Sequence, residues 1–138
     1  MKMIKITTNN QISVHDFPEG SFGEQNQVLR DHIGPKCELY EHVMPKRLYN
    51  ELHGSRQRGN CVSMLVDEDG HYHELPENIV ASWLYESDKH GYPILGDVLI
   101  VGEKWEGSGI SFCGIPKDQF DLLFPQLRKL TEKARKME

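Results

Sequence analysis

The stretch "VDEDGHYHELPENIVAS", residues 66–82, combines an acidic turn, a His-x-His pair and a proline ahead of an apolar run. Side chains alternate between the two faces of a β-strand, so His71 and His73 would share one face if this segment were extended. Two imidazoles placed in this way can bind Zn²⁺ or Cu²⁺ when a third ligand completes the site. The neighbouring carboxylates that could supply it are Asp67, Asp69 and Glu74. The segment is therefore a candidate metal site.

A β-hairpin explains the same residues without a metal. Asp-Glu-Asp-Gly is suited to a hairpin tip, because Asp favours turns and Gly70 adopts a positive φ at no steric cost. Metal ligands usually come from packed elements that orient them, whereas a tip is solvated. We therefore predict a strand Cys61–Val66 that returns through His71–Leu75, and no bound metal. Replacing both histidines with alanine should then change stability by less than about 1 kcal/mol, as exposed substitutions usually do.

Asn78 lies at the predicted start of a helix that opens with Pro76 and Glu77 and continues to about Glu86. An amide at that position can satisfy backbone N–H groups that have no partner in the first helical turn. This structural role explains the residue, and we also keep Asn78 among the candidate binding residues.

Catalytic motifs are scarce in the chain. Cys113 would need a neighbouring histidine to act as a nucleophile, and nothing in the sequence places one beside it, so a buried thiol is the simpler interpretation. Neither a nucleophile elbow nor a phosphate-binding loop of the Walker type is present. We predict a protein that is not an enzyme and uses no cofactor.

Residues 45–60 form the basic segment of an otherwise acidic chain. Its two guanidinium groups between Gly54 and Asn60 suit a phosphate or a carboxylate, and we expect this loop to be mobile until a partner orders it. Trp105, which we place on a glycine-rich loop, could serve as an interface anchor or as a stacking surface for a base. With Asn78, the candidate binding residues are Lys46, Arg47, Arg56, Arg58 and Trp105.

Two kinds of partner compete for this basic segment, and a solvated loop tip without function is the third interpretation. The segment could grip an acidic patch on a protein, or it could close over a phosphate-bearing small molecule such as a nucleotide signal. Shape distinguishes the two, because sequestering a small molecule requires a concave pocket and a protein inhibitor can use a flat surface.

Composition limits the class of protein. The 138 residues are 38% hydrophobic and 27% charged with a net charge of −5, which predicts one globular domain and disfavours direct nucleic-acid binding. Three well-separated cysteines indicate no disulfide framework. No signal peptide or membrane span is visible, so we expect a cytoplasmic protein. The sequence leaves a homodimer open.

The order of predicted elements indicates an α+β fold. We expect a small antiparallel or mixed sheet with three to four helices packed mainly on one face. An N-terminal hairpin is followed by a helix over roughly Phe22 to Ile33, which begins at a capping box formed by Ser21 and Glu24. The other predicted strands are Cys37–Val43, Val98–Val101 and Ile110–Cys113.

The last predicted helix begins after Pro116 and contains Pro125. A proline in a helix interior removes a hydrogen bond and clashes with the preceding turn, so we predict a break or kink there. The charged tail, residues 131–138, is expected to fray.

The chain resembles a family of uncharacterised phage, prophage and conjugative-element proteins known as domain of unknown function 3846. The resemblance rests on an acidic-Gly turn that leads to Leu-Pro-x-Asn-x-x-Ala at residues 75–81, and on Gly-Asp-x-x-Ile-Val-Gly at residues 96–102. The family has no established catalytic residues to carry over. The resemblance implies a mobile genetic element, in which small acidic proteins often act against host defence.

Together these observations predict a non-enzymatic protein that inhibits a bacterial defence system by binding a protein target, in the manner of an anti-CRISPR protein that occludes a nuclease effector. The alternative is a binding module that sequesters a nucleotide signal or another phosphate-bearing small molecule.

Overall fold

The computed structural model describes all residues from 1 to 138, which form six strands and five helices. The strands are β1 (Lys2–Ile6), β2 (Ile12–Asp16), β3 (Tyr40–Val43), β4 (Val62–Asp67), β5 (Val98–Glu106) and β6 (Gly109–Cys113). The helices are α1 (Phe22–Ile33), α2 (Lys46–Asn50), α3 (Ile79–Leu84), α4 (Ser87–His90) and α5 (Lys117–Lys136).

All six strands belong to one antiparallel sheet with the order β2-β1-β5-β4-β3, and β6 pairs with the second half of β5. The α+β class and the antiparallel sheet are as predicted. The predicted N-terminal hairpin is present, and β5 is central, with β1 on one side and β4 on the other.

Both faces of the sheet are covered, and alternate side chains of β5 lie in two different cores, one on each face. Val98 and Ile100 belong to a core of 16 residues that includes apolar side chains of α2, α3 and α5. Leu99 and Val101 belong to a core of six residues that includes two side chains of α1. Most of the helices therefore pack on one face, as expected, and α1 alone covers the other. The number of helices exceeds the expected three to four because α4 adds a single turn.

The capping box of α1 is formed as predicted. The Ser21 side chain accepts a hydrogen bond from the Glu24 backbone, and the Glu24 carboxylate accepts one from the Ser21 backbone. Hydrogen bonds from Ser21 are stronger to the ionised carboxylate than to the protonated one, so they lower the pKa of Glu24.

The predicted return strand His71–Leu75 is wrong. These residues form consecutive turns, and β4 pairs with β3 and β5 instead. The Asp67 carboxylate accepts a hydrogen bond from the backbone of Asp69, and the Leu75 backbone donates to Gly70. These local bonds use the backbone groups that a strand would offer to a neighbour. Strand β3 is also shorter than predicted, because it begins at Tyr40 rather than Cys37.

The glycine-rich segment after Val101 is a hairpin rather than a loop. β5 continues to Glu106 and pairs with β6, so that Trp105 lies directly opposite Ile110. The pairing of β4 with β5 ends at Gly102. We name residues 103–112, the part of the hairpin beyond that pairing, the arm.

Helix α5 runs through Pro125 without ending, so the predicted break is not found. Residues 131–136 are helical instead of frayed, because the end of α5 contacts the β1–β2 turn. Arg135 donates a hydrogen bond to the backbone carbonyl of Asn10 over 2.6 Å, and Asn10 donates one to the Glu138 carboxylate over 2.7 Å. None of the helices has the length and apolarity needed to span a bilayer.

Candidate functional site

The structure brings together only one pair from the candidate metal segment. Nδ1 of His73 lies 2.9 Å from a carboxylate oxygen of Asp67, whose side chain is 1% exposed. His71, Asp69 and Glu74 are exposed. No group of three or more His, Cys, Asp or Glu side chains is arranged to hold a metal ion. His73 is 11% exposed, so the expectation that both histidines are surface residues is wrong for this one.

Asn78 lies in the interior of the protein and is fully buried. Its Oδ1 accepts a hydrogen bond from the backbone of Ala81 and caps α3, while its Nδ2 donates to the carbonyl oxygens of Ile6 and Gly96. The predicted capping role is confirmed. A partner on the surface cannot reach this amide, so Asn78 leaves the set of candidate binding residues.

Arg47 also differs from the expectation, because its side chain is only 12% exposed. Its guanidinium forms two hydrogen bonds with Asp88 at 2.7 and 2.8 Å, and lies 5.1 Å from the centre of the Trp83 ring. The hydrogen bonds from Arg47 lower the pKa of Asp88. Arg47 therefore connects α2 with α3 and α4. The neighbouring Lys46 is exposed and is the accessible cation of this helix.

Arg56 packs on an aromatic ring that is itself fixed. Its guanidinium lies 5.0 Å from the centre of the Tyr49 ring, and it donates a hydrogen bond of 2.7 Å to Asn50. The Tyr49 hydroxyl accepts from the backbone N–H of Val62 over 2.8 Å and donates to its carbonyl over 2.6 Å. Burial raises the pKa of the Tyr49 hydroxyl, which therefore stays protonated at neutral pH.

Arg58 and Trp105, two of the residues selected from the sequence, meet at the surface. The Arg58 guanidinium lies 4.5 Å from the centre of the Trp105 ring. Trp105 is 43% exposed and its cross-strand neighbour Ile110 is 37% exposed, so solvent reaches both side chains. We name Tyr49, Arg56, Arg58, Trp105 and Ile110 the arginine surface.

The loop that carries these arginines makes more contacts than expected. The backbone of Ser55 donates to the Gln119 side chain in α5 over 2.9 Å, and the Ser55 hydroxyl accepts from the backbone of Gln57. The loop therefore has its own hydrogen bonds to the body of the protein, in addition to the two arginine–ring contacts.

Three concavities lie elsewhere on the protein. A groove of about 460 Å³ separates α3 from the end of α5 and is lined mainly by apolar side chains. A cleft of about 300 Å³ lies between α1 and the arm, with aromatic and amide side chains on its walls. A third, of about 220 Å³, lies beside Pro35 and Asp97. None of the three is lined by Arg56, Arg58 or Trp105.

Cys113 lines the cleft and is half-buried. Burial raises the pKa of its thiol, which is then protonated and a poor nucleophile at neutral pH. Burial likewise raises the pKa of Cys37 to about 11.

Comparison with known proteins finds no match: no family model, no curated protein and no solved structure is similar to the chain. The resemblance to domain of unknown function 3846 therefore stays an expectation.

The predicted strand Ile110–Cys113 is confirmed as β6, but sequence reasoning missed its pairing with the extension of β5 and the two partners of the arginines. The alternation Ile110, Phe112 after a Gly-Ser-Gly turn is a signal that could have indicated the hairpin, and with it the position of Trp105. The cleft had no comparable signal, since its walls come from segments that are far apart in the chain.

Proposed function

We propose that this protein is a non-enzymatic binding protein that engages a partner protein through the arginine surface. In the mobile-element setting that the family resemblance implies, the partner would be a bacterial defence protein, such as a nuclease effector, whose working surface the bound protein blocks.

The stacking of Arg58 on Trp105 is the observation that carries the proposal. Trp, Tyr and Arg are the residues most enriched among those that dominate binding energy in protein interfaces. Here the Arg58 guanidinium lies over the exposed indole of Trp105, and the guanidinium of Arg56, two residues earlier in the chain, lies over the ring of Tyr49. Stacking holds both planar groups in place, so less side-chain entropy is lost when a partner binds.

Charge supports the same proposal. The ion pairs of the structure include neither Arg56 nor Arg58, although the protein as a whole is acidic. Two unpaired guanidinium groups on an acidic protein favour a partner surface with a matching group of carboxylates. The net charge opposes approach to nucleic acid.

Sequestration of a nucleotide signal by the same residues is less well supported. Holding a small molecule requires walls that bury most of its surface, and the arginine surface does not line any of the three concavities described above. A surface of this kind fits a protein better than a small ligand.

The test compares plasmid or phage survival in bacteria that carry a nuclease-based defence, with and without the protein. The double variant Arg56→Glu/Arg58→Glu should lose protection by more than tenfold, because the charge of the contact is reversed. The matched control is Lys36→Glu/Lys129→Glu, which makes the same change of charge at two exposed lysines outside the arginine surface and should retain protection. The variant Arg56→Lys/Arg58→Lys keeps both charges but removes the planar guanidinium groups. It should lose protection if these groups bind a carboxylate through paired hydrogen bonds, and it should retain protection if only their charge attracts the partner.

Affinity capture from the protected cells, followed by mass spectrometry of proteins and small molecules, identifies the partner. The expected result is a defence protein that is captured by the parent and by the control Lys36→Glu/Lys129→Glu, but not by Arg56→Glu/Arg58→Glu. A nucleotide recovered in stoichiometric amount without any protein would overturn the proposal.

A further inference from the structure

The cleft between α1 and the arm is a second site, independent of the arginine surface. Phe22, Gln25, Asn26 and Leu29 are spaced so that they share one face of α1. That face lines the cleft, and Phe17 together with side chains from β3, β5 and β6 lines the rest of it. The volume of about 300 Å³ is at the lower end of the range for small-molecule sites.

Aromatic rings form the apolar part of the cleft. The Phe112 ring makes an edge contact with Tyr40 at 6.3 Å and a tilted contact with His42 at 5.5 Å between ring centres, and both hold it in place. Phe22, at the rim, is 71% exposed. A fixed ring inside the cleft and an exposed ring at its rim favour a flat, aromatic ligand, because stacking would cover the exposed ring.

Two amide groups form the polar part. Asn26 accepts a hydrogen bond from the Tyr40 hydroxyl, which sets the orientation of the amide and leaves Nδ2 free to donate. The Gln25 side chain, half-buried beside it, has no hydrogen-bond partner within the protein. An unpaired side-chain amide offers one donor and one acceptor side by side, which is the arrangement that pairs with the edge of adenine.

The charges in the cleft cancel each other. Nζ of Lys104 lies 2.8 Å from one carboxylate oxygen of Glu106, and the Ser111 hydroxyl donates to the other. The pair leaves no free cation for a phosphate, so the cleft favours an uncharged ligand.

We infer that this cleft binds an adenine-type nucleobase or nucleoside, with the base stacked on Phe22 and its donor–acceptor edge paired with the amide of Gln25. The inference does not rest on the proposed function, since the arginine surface contributes no side chain to the cleft.

The experiment is an NMR titration of the full-length, ¹⁵N-labelled protein with adenosine. Saturable shifts are expected in the side-chain NH₂ signals of Gln25 and Asn26. Purine riboside, which lacks the exocyclic amino group, should bind at least tenfold more weakly because it cannot form the second hydrogen bond. Adenosine monophosphate should bind no more tightly than adenosine. Absence of saturable shifts, equal binding of the two nucleosides or a tenfold preference for the phosphate would each overturn the inference.

Two variants and two matched controls test the residues. Gln25→Ala and Phe22→Ala should each weaken adenosine binding at least tenfold. Gln27→Ala and Val28→Ala change exposed residues of the same helix that do not line the cleft, and should bind adenosine as the parent does. Circular dichroism verifies that α1 is retained in all four. Binding by Gln25→Ala or Phe22→Ala at parental affinity would contradict the inference.

Discussion

His73 is hydrogen-bonded to a carboxylate that has almost no contact with water. Removing the imidazole would leave one oxygen of Asp67 buried without a partner, since Asp69 satisfies only the other. We expect His73→Ala to lower the free energy of unfolding by about 1–3 kcal/mol, the usual cost of an unsatisfied buried polar group. Urea denaturation at neutral pH measures it.

The matched control for this prediction is His71→Ala, an exposed histidine in the same turn. It should change the free energy of unfolding by less than about 0.5 kcal/mol. Equal effects of the two substitutions would mean that the contact between His73 and Asp67 contributes nothing measurable.

His32 makes stability depend on pH. Partial burial lowers its pKa, and the nearby charges of His15, whose ring centre is 4.5 Å away, and of Lys5 lower it further. The unfolded chain therefore binds a proton at this position more readily than the folded protein does. His32 therefore contributes stability at pH values above the ordinary histidine pKa of about 6.5. This contribution is lost as the pH falls through the lower pKa that His32 has in the folded protein.

We expect His32→Gln to reduce the loss of stability between neutral and mildly acidic pH. Thermal denaturation of parent and variant across that range measures the difference. His71→Gln serves as the control and should follow the parent. If the midpoint of thermal denaturation of His32→Gln depended on pH as steeply as that of the parent, other groups would cause the pH dependence of stability.

At the scale of elements, Asn78 links α3 to two other segments. Asn78→Ala removes the helix cap and leaves the carbonyl oxygens of Ile6 and Gly96 without this donor. We expect a loss of about 3 kcal/mol or more, from one cap and two buried hydrogen bonds. Chemical denaturation measures it, with the exposed Asn9→Ala as a control that should have little effect.

Asn78→Asp separates the two functions of this side chain. The carboxylate still accepts from the backbone of Ala81, but it can no longer donate to the two carbonyl groups. A loss at least as large as that of Asn78→Ala is therefore expected. If Asn78→Asp were as stable as the parent, the cap alone would explain the residue.

Sequence predicted those elements whose determinants are local. The capping box at Ser21 and the cap at Asn78 were both identified, because each acts within one helical turn. The return strand His71–Leu75 was wrong although the competing bonds are also local: the Asp67 carboxylate accepts from the backbone of Asp69, and the Leu75 backbone donates to Gly70. The alternation of His71 and His73 favoured a strand over these turns. Arg47 was taken for a binding residue because its acidic partner, Asp88, lies 41 residues away in the chain.

At the scale of the whole molecule, the two ends of the chain are held together. Arg135 donates to the carbonyl of Asn10, which is 1% exposed. We expect Arg135→Ala to cost about 1.5–3 kcal/mol, as loss of a hydrogen bond to a charged group usually does. Lys136→Ala removes a neighbouring, exposed positive charge and should be nearly neutral. Thermal denaturation of both variants provides the comparison, and equal midpoints would contradict the prediction.

The pairing of β1 with β5 has a consequence for synthesis on the ribosome. Ile4 lies opposite Ile100, so β1 is translated well before β5 and has no partner along that edge until β5 has been made. At the usual rate of translation this delay is roughly 5–20 s. Closing so long a loop is also entropically costly, which slows the final step. During that interval the N-terminal hairpin exposes an apolar, unpaired strand, so a nascent-chain chaperone should associate with this protein until residues 98–106 emerge.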